Sequence, residues 1–151
     1  MMMRLHIGPD RVVFSGGGGE IEVRGLGTAT LSRAHFQRLP PGGVELEAAI
    51  DAIEEALAPV IPELQAGDSL VTSDPEVLAL AEFAGLQRAG RFSLDITDVE
   101  RQFNRLVNVA AGRPASAEGL PLRAEFIANL VILREIMHHA GRRTLVFAPL
   151  S

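Results

Sequence analysis

The sequence predicts an α/β (or α+β) domain: an N-terminal antiparallel three-stranded meander, followed by helices alternating with short strands. Three observations predict it. Residues 3–24 alternate apolar and polar side chains between turn signals, the period of a strand. From residue 44 onward, apolar residues recur at helical spacing between glycine and proline breaks. Short apolar runs at 69–72 and 144–148 interrupt the helical stretches.

Met3, Leu5 and Ile7 alternate with Arg4, His6 and Gly8 to give the first strand. Pro9-Asp10 is a turn dipeptide, and residues 11–15 form a second strand. The glycine run 16–19 turns the chain into a third strand over 20–24, and residues 28–31 are expected to resume it. A connector over 32–43 ends in Pro40-Pro41-Gly42-Gly43. The spacing of Leu46, Ile50, Ile53 and Leu57 predicts a helix over 44–57, with Pro59 and Pro62 ending or kinking it. Gly67-Asp68 reads as a turn and 69–72 as a strand. Asp74 is the expected N-cap of the next helix, with Pro75 in its first turn and Gly85 as its stop. Residues 85–96 carry no clear pattern. Thr97-Asp98-Val99-Glu100 matches a capping box that opens a helix to about Ala111. A loop over 112–121, a long helix over 122–140 stopped by Gly141, and a strand over 144–148 complete a single domain of residues 1–151.

This element order is similar to that of a ribonuclease-H-like domain. Nucleases of that architecture hold two metal ions on carboxylates, one of them on the first strand. The first strand here has no acid. Asp10, in the turn after it, and Asp74, after the strand at 69–72, are the nearest substitutes and form the alternative catalytic pair.

Composition narrows the function classes. The 151 residues contain no cysteine, which excludes disulfides, thiolate metal sites and cysteine nucleophiles. No apolar run reaches the ~18 residues of a membrane span, and no leader-type segment opens the chain. A cytoplasmic protein without membrane attachment is expected. All 14 basic residues are arginine, a mark of GC-rich codon usage. The net charge is −5, and the chain has neither Trp nor Tyr, which disfavours nucleic-acid binding. Charge is uneven: residues 44–100 hold thirteen acids against two arginines, and residues 101–151 hold seven arginines against three acids.

Candidate sites are few. The glycine run 16–19 leads into a strand rather than a helix and lacks the Lys-Ser/Thr of a phosphate loop, so it reads as a hairpin loop. Glu135 and His138 share a helix face and form a weak metal-ligand pair; no metal or cofactor is expected to follow from it. His6 and His35 stand alone in the sequence. Glu47, Asp51 and Glu55 line one helix face, and like charges at that spacing need an offset, from Arg101 and Arg105 or from a basic partner protein. Residues 130–133 are apolar around most of the helix, so Ile132 belongs either to the core or to a dimer contact. The resulting expectation is a non-enzymatic interaction or assembly protein, homodimeric. The alternative is a metal-dependent hydrolase or a small-molecule-binding domain of ribonuclease-H-like architecture.

Overall fold

The computed structural model describes residues 2–67, 69–86 and 90–150. Three strands, β1 (Met2–Ile7), β2 (Arg11–Gly16) and β3 (Gly19–Arg24), form the predicted antiparallel meander. The 16–19 run is the β2–β3 hairpin turn. Gly17 and Gly18 have φ of 58° and 85°, the conformation a two-residue hairpin needs at both central positions.

Residues 28–31 are not strand. They open α1 (Thr28–His35), which takes over much of the expected connector. The threonines suggested a strand, but the side chains of Thr30 and Ser32 bond to carbonyls three and four residues back, satisfying a helical backbone. α2 (Gly43–Leu57) follows as predicted and buries Leu46, Ala49, Ile53 and Leu57. A 3₁₀ turn (Ala58–Val60) and α3 (Ile61–Ala66) come next. Each prolines begins a new turn, where its missing N–H costs nothing. Asp68 of the predicted turn lies outside the described residues.

β4 (Ser69–Thr72) runs parallel to β1, and α4 (Pro75–Phe83) follows it. The unpatterned stretch holds a strand, β5 (Phe92–Asp95), antiparallel to the last one, β6 (Thr144–Phe147). Between them lie α5 (Ile96–Ala110), α6 (Ala115–Glu118) and α7 (Ala124–Ala140). The capping box of α5 starts two residues earlier than expected. Asp95 accepts from the Thr97 amide, and Asp98 reaches back to the Asp95 amide.

The six strands are ordered β3-β2-β1-β4-β6-β5, an antiparallel meander joined to a parallel β1-β4-β6 centre. α1, α2, α3, α4 and α5 all pack against α7. That is why α7 is apolar on nearly every side. Ile132 has no exposed surface and sits inside the core of the chain, so it is not available to a partner. One face of β1, with Leu5 and Ile7, joins this core. The opposite face carries Met2, Arg4 and His6, all exposed.

Candidate functional site

In an open parallel sheet, ligands bind beyond the carboxyl ends of the strands. Here those ends are the β1–β2 turn and the β4–α4 junction. Parallel pairing aligns Leu5 with Thr72, so residues just beyond them meet. Asp74 lies at the N-cap position of α4, as expected, but its carboxylate does not cap the helix. It turns to β1 instead. Its Oδ2 accepts from the Ile7 amide at 2.8 Å, and its Oδ1 lies 2.6 Å from His6 Nδ1. The Asp74 side chain is 10% exposed and that of His6 is 60% exposed. A buried carboxylate thus holds an accessible imidazole. Arg4, one strand repeat before His6, reaches the Ser73 hydroxyl at 3.5 Å.

The β1–β2 turn is tied down by backbone hydrogen bonds. The Gly8 amide donates to the Arg11 carbonyl at 2.9 Å. The first amides of α1, on Thr28, Ala29 and Thr30, donate to the carbonyls of Gly8 and Pro9. Gly27 brings the two segments that close: a Cβ there would lie 2.4 Å from the Asp10 nitrogen and the Pro9 carbonyl carbon. Those amides are occupied, so the start of α1 offers no anion-binding end. Beyond the turn is an open depression of about 540 Å³, lined by Asp10, Arg11, Glu22, Arg24, Gly25 and Thr30. Glu22 ties the two arginines, to Arg24 at 2.7 Å and to Arg11 at 3.2 Å. The bond from Arg24, with help from Arg11 and against a little burial, holds the Glu22 carboxyl below its ordinary value. The register places Arg11 and Arg24 opposite each other beside Gly8.

Asp74 is engaged by His6 and the Ile7 amide rather than by Asp10. Both oxygens of Asp74 are committed, and neither acid belongs to a cluster of metal-ligand geometry among the described residues. The cluster that does occur is Glu54, Glu135 and His139. Glu135 meets His139, one turn on, at 3.3 Å, rather than His138, which is exposed. His139 also reaches Glu54 at 3.2 Å. Glu135 is fully buried, and Arg134 bridges it at 2.5 Å to Glu100 at 3.1 Å. Burial works against the Arg134 charge, and its bonds to Glu135 and Glu100 outweigh that, raising its pKa. The network reads as a buried carboxylate neutralised within the fold.

Glu47, Asp51 and Glu55 are exposed on α2, as the sequence implies. Arg101 and Arg105 do not offset them. Arg101 pairs with Asp98 at 3.3 Å, and Arg105 pairs with Glu118 at 3.2 Å.

No family model and no curated protein matches the chain. Solved structures do. A Ppx/GppA family member from Aquifex aeolicus superposes with a TM-score of 0.75 at 14% identity, over 99% of this chain and 52% of that one. An exopolyphosphatase from Cytophaga hutchinsonii gives 0.75 at 16% identity, over 100% of this chain and 54% of that one. A second Aquifex aeolicus structure, described as a PPX-GPPA enzyme, gives 0.74 at 16% identity, over 99% and 54%. The fold is that of the Ppx/GppA domains. At these identities the likeness shows the fold alone, and the chain spans about half the length of those proteins. The expectation of a non-enzymatic interaction or assembly protein is corrected by this finding, because the proteins that share the fold are described as phosphatases and exopolyphosphatases. The hydrolase alternative accords with them better.

Among the described residues, no helix is long and apolar enough to cross a membrane.

Proposed function

We propose that the chain is a phosphoryl-binding lobe of a phosphatase, acting on phosphoanhydrides or phosphate esters in the cytoplasm. One observation carries the reading: Arg11 and Arg24 line an open depression beyond the carboxyl end of β1, and Arg4 stands on the same strand. Guanidinium groups suit phosphate oxygens because they offer paired donors and stay charged. Glu22 orients the two arginines and Asp10 lines the same depression, so recognition there rests on the placement of the guanidinium donors rather than on excess positive charge. The β2–β3 register sets Arg11 opposite Arg24, which fixes the spacing of their backbones. The fold neighbours, described as exopolyphosphatase and phosphatase, supply the substrate class for this proposal. Homodimerisation stays part of the proposal without Ile132, and native mass spectrometry reads it directly.

The test is calorimetric titration with inorganic tripolyphosphate, together with a phosphate-release assay. The wild-type chain is expected to bind the anion, with affinity falling as salt rises. A charge-assisted hydrogen bond contributes about 1.5–3 kcal/mol. Arg11→Ala with Arg24→Ala should therefore weaken binding by roughly tenfold or more. A wild-type chain that binds no tripolyphosphate, or binding unchanged in the double variant, overturns the reading.

A further inference from the structure

His6 and Asp74 have the geometry of a proton-transfer pair, and the arginine site alone does not account for it. The contact of 2.6 Å is short for a nitrogen–oxygen hydrogen bond, as expected when the acceptor is an ionised carboxylate. The second Asp74 oxygen is fixed by the Ile7 amide, and the Asp74 amide is in turn fixed on the Thr72 hydroxyl at 3.1 Å. The carboxylate therefore cannot rotate away from the ring. An acceptor at Nδ1 requires the proton there, which leaves Nε2 of the neutral ring with a free lone pair. Nε2 points over Gly8. A Cβ at that position would lie 3.4 Å from it, so glycine keeps its approach open. The Gly8 amide also bonds to the carbonyl of Arg11, one of the residues that line the depression.

We propose that His6 is the general base of the hydrolytic step, with Asp74 as its positioning residue; this rests on the phosphoryl-binding reading. A water oxygen attacks phosphorus while Nε2 of His6 takes one of its protons. The P–O bond to the leaving group breaks, and that oxygen keeps the bonding electron pair. The imidazolium then returns its proton to the leaving oxygen or to solvent. Positioned general bases of this kind contribute about 10²–10⁴-fold.

The experiment uses the whole chain. Nitrogen-detected NMR of the His6 ring reads its tautomer without substrate. The neutral wild-type ring is expected to carry its proton on Nδ1. In Asp74→Asn, the amide oxygen takes the Ile7 N–H and its NH₂ faces Nδ1, so the proton should move to Nε2. His6→Gln replaces an exposed side chain with one whose amide can still donate to Asp74, and should fold as the wild type does. Its tripolyphosphate binding should match the wild type, while phosphate release should fall by about 10²–10⁴-fold and lose the acid limb of its pH profile. Unchanged release in His6→Gln, binding without release by the wild type, or a wild-type ring protonated on Nε2 overturns the inference. Loss of tripolyphosphate binding by the wild type overturns the phosphoryl-binding reading instead, and the tautomer is still readable in that case.

Discussion

A carboxylate's partners, rather than its place in the chain, decide what it does. Asp74 stands where a helix cap would stand, yet both of its oxygens serve β1. Glu45 is the converse case. It lies inside the first turn of α2 and gathers two loop amides, from Gly42 at 3.0 Å and from Gln37 at 2.8 Å. Those bonds, Gly42 first, lower its pKa, with a smaller pull from Arg38. A carboxyl held below its ordinary value stabilises the fold fully at neutral pH and loses that contribution as the pH falls through the carboxylate range. Glu45→Gln should therefore show a shallower drop in thermal midpoint below about pH 5 than the wild type. Calorimetry across that range checks it, and parallel curves for the two proteins would contradict the assignment. Gly27 acts through what it lacks, since any side chain there would collide with the Pro9-Asp10 backbone.

At the scale of elements, α7 organises the fold. It buries twelve of its residues, from Phe126 to Ala140, because five helices pack around it. The helix carries one internal charge problem, Glu135, which Arg134 and His139 answer locally. Ile132 belongs to this interior. Ile132→Ala should cost about 2–5 kcal/mol, the range for emptying a buried aliphatic position. Urea unfolding measures it, and a loss within about 0.5 kcal/mol, the range of a surface change, would place the residue elsewhere. Ile132→Glu should fail to fold rather than give a folded monomer.

For the whole molecule, the parallel centre β1-β4-β6 joins the two halves of the chain, and α7 lies against α1, α2, α3, α4 and α5. Stability should be greatest where packing is densest. In hydrogen exchange, the amides of α7 should open only with global unfolding, while those of the edge strands β3 and β5 exchange faster. Mass-spectrometric exchange on peptides from α7 and β5 checks this ordering, and equal rates would contradict it. The depression opens beside the β1–β2 turn, so this stable frame holds the proposed site while leaving it open to solvent.

The sequence by itself determined the meander, α2, α4, α7, β4 and β6, because each is written in local periodicity and in glycine or proline punctuation. It also marked Asp74, and the hairpin nature of the 16–19 glycines. β5 was faintly legible: Phe92 and Leu94 alternate with Ser93 and Asp95, but four residues beside an unpatterned stretch carry too little period to stand out. Only the tertiary structure decided the rest. α1 is a helix because its amides and hydroxyls find partners in the turn and in its own backbone, which no threonine pattern announces. Arg101 and Arg105 went to Asp98 and Glu118, and Glu135 chose His139 over His138, because helix packing sets which charges meet. His6 looked solitary since its partner is 68 positions away. Parallel pairing of β1 with β4 closes that gap, and strand pairing at such separation leaves no local trace in a sequence.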